Sequence, residues 1–285
     1  MAATIDGTDH ASNVSKQAFE SRSGHDSWRD SVGKGITARG RGGHMIAADA
    51  LPWAANSLQW KYRALDRTAA TSTSSYVLAR LRGDILSTYF KPDTKLYLKV
   101  LTARYNTSVA PVREALAVLS GAGLVISESQ RGFRVAPASR ADFLDIAALR
   151  KQLEISALGL SIVRGSDRWL REIRRVYDIF SQLSQKAGHD DPISDAWEAY
   201  HREFHFALIS ECGSPTLMNF WSQLHDRFDR YRRLTLPSGS YMAGTASDHG
   251  DIMEAVMNRD VSRAATLMSD HIQNITDVVL EQYVE

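Results

Sequence analysis

Apolar and polar positions alternate in two different ways along this chain, and the change falls near residue 139. Before it, Val77, Leu78, Leu81 and Ile85 recur at helical spacing, and Ser74 or Ser75 can cap the helix they mark, which runs to about Ser87. Leu98 to Tyr105 predicts a second short helix, Asn106 and Thr107 a turn, and Ser108 the N-cap of a third helix. In that third helix Val112, Ala115, Leu116 and Leu119 share one face while Arg113 points elsewhere. Pro111 sits in the first turn, where a missing N–H costs little, and Gly121 and Gly123 end the run. Lys95 to Tyr97, Leu124 to Ser127 and Phe133 to Val135 read as strands, the last two flanking Glu128 to Gly132. A helix-turn-helix followed by a two-stranded wing is the arrangement this order predicts.

From residue 140 onward the period is helical throughout, and no strand pattern competes. Helices are expected at about 140–163, 167–186, 193–211, 215–234, 247–258 and 261–282. Breaks fall at Gly165, at Gly188 to Pro192, at Gly213 to Pro215 and in the Gly/Ser-rich stretch Pro237 to Ser247. Ala136-Pro137-Ala138-Ser139 is a linker that ends in an N-cap, with Asp142 in a capping-box-like position. The fold class is therefore mainly α. An N-terminal winged helix-turn-helix at 73–136 precedes a C-terminal all-helical bundle at 140–283. Residues 1–72, with scattered charges and glycine-rich patches at Gly33 to Gly35 and Arg39 to Gly43, predict a disordered extension, within which Ala54 to Asp66 is a candidate short helix.

Charge sharpens this division. The formal net charge is only +1. Yet Thr73 to Ser139 carries nine Lys/Arg against four Asp/Glu, whereas Arg140 to Glu285 carries sixteen against twenty-two. A small basic module can offset phosphate charge and release counterions, while an acidic remainder is repelled by the same duplex. Double-stranded DNA is the partner this implies. Lys99 on the second helix, Arg113 on the third, and Gln130 with Arg131 at the wing tip are the contact candidates. Thr107, Ser108 and Ala110 are small enough to let the backbone or a thymine methyl come close, and Gly132 is a turn glycine that lets the wing enter a groove.

Composition excludes other classes. Apolar residues at 44% and charged residues at 24% are ordinary for a globular chain. The longest apolar runs fall short of the roughly 18 to 20 residues a spanning helix needs. The N-terminus lacks a basic start followed by an apolar run, so no secretory signal is expected. One cysteine, Cys212, forbids an internal disulfide and suits a reducing cytoplasm.

The helical half also concentrates histidines on apolar faces. His201 and His205 stand four apart on a face with Trp197, Phe204 and Leu208. His249 shares one with Ile252, Met253 and Val256, and His271 shares one with Leu267, Met268 and Ile275. Each alone reads as a core histidine. Together, four inward imidazoles need partners for their nitrogens, and a divalent metal, Zn or Ni for nitrogen ligands, satisfies them at once.

Ser108 followed by Pro111 to Leu116 (PVREAL), and then Gly123-Leu124-Val125, resembles the winged-helix signature of the GntR superfamily of bacterial transcription regulators. The helical half, with Phe204-His205, then His249 with Ala255, Asp260, Ala264 and Met268, and finally His271, resembles the FCD ligand-binding domain of the FadR branch. The resemblance covers residues 74 to 283 and implies a homodimeric regulator, most often a repressor, that reads a pseudo-palindromic operator. Val109 stands where the family usually has an Arg that touches DNA. The family also implies a metal held by an Asp and three His. His205, His249 and His271 match the histidines, and His201 occupies the place of the Asp. Arg150 matches the Arg that faces the effector cavity, and its alternative is an intrahelical pair with Glu154. Arg230, in the run Asp229 to Arg233, offers a further cation. The implied effector is a small organic acid, since a guanidinium beside a metal traps carboxylates. Cys212-Gly213-Ser214 and Arg230-Tyr231-Arg232 look like the subgroup that includes the carbon-starvation glutarate regulator. Two rival readings are a metal-dependent enzyme, for which no positioned base stands beside the histidines although Glu203 and Asp248 are near in sequence, and a metal sensor with no organic effector.

Overall fold

The computed structural model describes residues 72–129, 131–186, 193–235 and 240–282. The expectations for the N-terminal extension, its candidate helix and its Arg/Gly patch, and for Gln130 at the wing tip, lie outside the described residues.

Helix α1 (Thr73–Leu86) is capped by Ser72 rather than by Ser74 or Ser75. Ser72 Oγ accepts the Ser75 N–H at 3.1 Å, and the Ser72 N–H donates to Ser75 Oγ at 3.0 Å. A run of five hydroxyl residues, 71–75, offers several caps, and the one that closes this reciprocal box is selected. Strand β1 (Lys95–Leu96) leads into α2 (Leu98–Tyr105), and α3 (Val109–Gly121) follows. Asn106, at φ 49°, makes the turn between the two helices. After α3, Gly123 at φ 74° lets the Leu124 N–H reach back to the Leu119 carbonyl at 3.0 Å. Strands β2 (Val125–Glu128) and β3 (Gly132–Val135) form the wing, and the antiparallel sheet runs β1-β3-β2 with Val125 opposite Val135. Val77, Leu81, Ile85, Leu101, Val112, Leu116 and Val135 close a core of their own under these elements.

The second half is helical over α4 (Arg140–Arg164), α5 (Asp167–Lys186), α6 (Asp195–Ile209), α7 (Pro215–Thr235), α8 (Ser240–Met257) and α9 (Val261–Gln282). Helix α4 packs on α6, α7 and α9, α5 packs on α6 and α8, and α8 packs on α9. The break expected through Ser247 is corrected here, because α8 already begins at Ser240. Gly and Ser lower intrinsic helix propensity by at most about 1 kcal/mol each, which packing of α8 between α5 and α9 overrides. Gly165 does end α4. A Cβ there would come within 2.0 Å of the Trp169 ring, so the close approach of the next helix requires glycine.

Helix α7 holds the start of α4. Arg227 pairs with Asp142 at 2.6 Å, and the Tyr231 hydroxyl accepts the Ser139 N–H at 2.9 Å while donating to Asp142 at 2.8 Å. Ser139 caps α4 as expected, its Oγ accepting the Asp142 N–H at 3.2 Å. The Asp142 carboxylate, however, turns to α7 rather than completing a capping box.

Candidate functional site

Helices α6, α8 and α9 each deliver histidine to one buried point. His201, His205, His249 and His271 each offer a ring nitrogen, and these atoms lie within 4.8 Å of one another. The helical spacing of His201 and His205 puts both on the inner face of α6, where Trp197 stacks on His201 with ring centroids 4.7 Å apart. Glu154, on α4, supplies what the histidine pattern alone does not reveal. Its carboxylate receives His205 Nδ1 at 2.6 Å and Arg150 Nε at 2.9 Å. Burial alone would raise this carboxyl, but Arg150 and His205 outweigh burial and hold it well below the usual carboxylate range. An ionised carboxylate only accepts, so the His205 proton sits on Nδ1 and the lone pair on Nε2 faces the cluster. His205 Nε2 stands 3.2 Å from His249 Nε2, and His271 Nδ1 stands 3.5 Å from Asp248 on the far side.

The donor set fits a divalent metal on a second count. Among the described residues, both ring nitrogens of His201 and Nε2 of His271 are buried without a hydrogen-bond partner. Each such atom costs about 1–3 kcal/mol, and an added ion would relieve one nitrogen of His201 together with Nε2 of His271. Burial, reinforced by the neighbouring histidines, drives His201 well below its ordinary value. It also lowers His205 to about 4 despite Glu154. His201 and His205 are therefore neutral, and able to coordinate, at neutral pH.

A pH dependence follows from these shifts. The unfolded chain takes up protons on these imidazoles below about pH 6.5 while the folded chain does not, so the stability of the metal-free fold is full above that value. It should fall as pH drops from there to about 4, where His205 titrates in the fold. Urea midpoints for metal-free protein between these limits check this, and a flat profile would contradict neutral burial.

Arg150 is buried, and the alternative partner is present: it pairs with Glu154 and lies 4.4 Å over the Phe228 ring. Among the described residues its Nη2 nevertheless has no hydrogen-bond partner. Arg230 stands elsewhere. Its guanidinium donates to the linker carbonyls of Ala136 and Pro137 at 2.8 and 2.9 Å, so it fastens the joint between the two halves. A fifth histidine escaped the sequence reading. His225 on α7 is buried, 5.8 Å from the His205 ring and 4.9 Å from Trp221, and its Nε2 is unpartnered. Its spacing from Trp221 and Phe228 on one helix face was the available signal.

The other candidate surface lies on α2, α3 and the wing. Lys99, Ser108, Ala110, Arg113, Arg131 and Gly132 are exposed there, with Thr107 half-buried. Ser108 occupies the N-cap without a side-chain cap bond, and Val109 is 45% exposed beside it. Gly132 adopts φ 93° at the wing turn, a conformation that glycine adopts without strain. Arg104 and Arg134, by contrast, are engaged within the domain by Asp84 and by Glu128.

Known proteins match both halves. Residues 73–135 match the family described as bacterial regulatory proteins, gntR family, and residues 145–274 match the FCD domain, a class of domain that can bind metal. The HTH-type transcriptional repressor GlaR of Escherichia coli (strain K12) is 35% identical over 196 residues, covering 67% of this chain and 89% of GlaR. The uncharacterized HTH-type transcriptional regulator BphR of Paraburkholderia xenovorans (strain LB400) is 35% identical over 201 residues, covering 70% of this chain and 82% of its own. Among solved structures, E. coli McbR/YncC has a TM-score of 0.66 over 75% of this chain and 100% of its own, at 19% identity, a likeness of fold alone. No described helix is long and apolar enough to cross a membrane. Every one of these relatives named for a function is a regulator, which removes the reading as a metal-dependent enzyme. The chain belongs to the gntR family of bacterial regulatory proteins, as a DNA-binding transcription regulator in which a winged helix precedes an FCD domain.

Proposed function

We propose that this regulator is a cytoplasmic homodimeric repressor whose hold on a DNA operator is set by a small carboxylate bound beside a divalent metal, Zn or Ni, in the helical domain. The observation that carries this reading is the buried cluster of His201, His205, His249 and His271, with its unpartnered nitrogens, on the same α4 network as Arg150. Four imidazole donors favour a nitrogen-seeking ion over a hard one such as Mg, which prefers oxygen. A bound ion of this kind supplies a Lewis-acidic point of attachment for one carboxylate oxygen. The chain's own residues do the rest. Glu154 fixes the orientation and tautomer of His205, and Arg150 offers Nη2 to a second oxygen while Nε stays on Glu154. Leu149, Leu160 and Val163 leave an apolar stripe exposed along α4, which supports pairing with a second copy.

Lys99, Thr107, Ser108, Ala110, Arg113, Arg131 and Gly132 form the proposed DNA-reading surface, and Gln130 is a further candidate from sequence. Arg113→Ala should weaken binding to a duplex selected from a random library by about 1–3 kcal/mol while leaving the circular dichroism spectrum unchanged. Unchanged affinity at fixed salt in a mobility-shift titration would remove Arg113 from the interface. On the effector side, calorimetry of the zinc-loaded full chain with succinate and glutarate as probes tests Arg150. Arg150→Ala should abolish the heat of binding, and undiminished binding would place the carboxylate elsewhere.

A further inference from the structure

The histidine cluster and the DNA-reading head are bridged by a short polar chain that neither function described so far requires. On the cluster side His225 packs against His205 and, at 6.5 Å between ring centroids, against His201. Its Nδ1 lies 3.1 Å from an Arg202 Nη, and Arg202 also pairs with Asp226 and donates to Ser222 at 2.8 Å. The Asp226 carboxylate, 6% exposed, is at the same time gripped through both oxygens by Arg82, with Nε at 2.6 Å. Arg82 belongs to α1, the helix packed against the back of α3. One carboxylate of α7 is thus shared between an arginine of the helical bundle and an arginine of the reading head.

We infer that Asp226 is the positioning residue through which the histidine site sets the orientation of the DNA-reading head, with His225 as its contact on the site's side. This rests on the reading of the histidine cluster as a ligand site. His225 and Asp226 are adjacent on one helix, so a shift of the His201 and His205 rings on ligand binding moves α7 and the carboxylate that clamps α1 with it. Two-pronged charge-assisted contacts are directional, and a small rotation of Asp226 therefore reorients Arg82 rather than simply weakening its attraction. Arg230, one turn on, grips the linker carbonyls of Ala136 and Pro137, so the head follows the same helix at a second point.

Hydrogen–deuterium exchange of the full chain with zinc alone as the probe tests this. In the unaltered protein zinc should slow exchange in α6, α8 and α9 and also change exchange across α1. Asp226→Asn should keep the zinc content and the protection of α6, α8 and α9 but lose more than about half of the response in α1. Arg82→Gln, which alters only the head's side of the contact, should do the same and serves if the first variant does not fold. An α1 response of undiminished size in both variants overturns the inference. A wild-type α1 with no response while the site helices are protected also overturns it, and absence of zinc protection anywhere instead refutes the metal reading on which it rests.

Discussion

His205→Ala is expected to strip the protein of its zinc and to lower its melting temperature in the same step. The side chain has two duties: Nε2 faces the other three histidines, while Nδ1 donates to the buried Glu154. An ion that binds only the folded state adds about 4 kcal/mol when present at a thousandfold excess over its Kd, and that addition disappears with the site. The variant also leaves Glu154 with Arg150 as its charged partner in a fully buried setting. Elemental analysis after dialysis, paired with thermal melts with and without chelator, reads both effects. Chelator should destabilise the unaltered protein and leave His205→Ala unmoved. His201→Asp should retain zinc, since it restores the carboxylate of the usual family set. Full zinc retention by His205→Ala would remove that residue from the ligand set.

The second large effect concerns a buried ion-pair network beside the histidine site. Arg232 is 1% exposed and is held by Asp229, with Nε at 2.9 Å, and by Glu198, while its guanidinium lies 5.7 Å from the Trp197 ring. Burial pushes the Glu198 carboxyl up and Arg232 counters it, and Asp229 is held down at about 2 by Arg232 and Arg233 against its own burial. Arg232→Ala removes one cation from two buried carboxylates that Arg233 also faces, 3.2 Å from Glu198 and 3.0 Å from Asp229. Breaking a buried ion pair by removing one partner costs about 3–5 kcal/mol, because the remaining charge is stranded. At roughly 2–4 °C per kcal/mol for a domain of this size, the melting temperature should fall by about 6–20 °C. A fall of less than about 3 °C would mean that the network is solvated rather than buried. Trp197 stacks on His201, so this loss should also loosen the wall of the histidine site.

Periodicity made most of the architecture legible. The apolar face of α3 predicted from Val112, Ala115, Leu116 and Leu119 is buried as read, and α2 begins and ends at the expected residues. The misses have local causes. Five consecutive hydroxyl residues, 71–75, offer rival caps for α1, and the glycine and serines at the start of α8 are weak helix formers outside a packed bundle. The four histidines could be gathered from sequence because each sits on an apolar face. Glu154 could be paired with Arg150 from their spacing of four. Its second partner, His205, lies 51 residues away and is decided by packing that no local pattern encodes. Arg230 was grouped with the effector cations because one run of arginines gives no clue to which side each faces. On a helix, positions 230 and 232 point in different directions, and here they serve the linker and the Glu198 network respectively.

The central claim, that metal and carboxylate act together to set DNA binding, is tested most directly by fluorescence anisotropy on a labelled duplex selected from a random library. Metal-free protein is titrated with zinc, first alone and then with glutarate or succinate at saturating concentration. The account predicts that carboxylate shifts the DNA dissociation constant by at least about fivefold in zinc-loaded protein, equal to about 1 kcal/mol of coupling, and has no effect on metal-free protein or on Arg150→Ala. A shift produced by zinc alone, unchanged by either acid, would make the protein a metal sensor, and an identical response to acid with and without zinc would contradict the shared site.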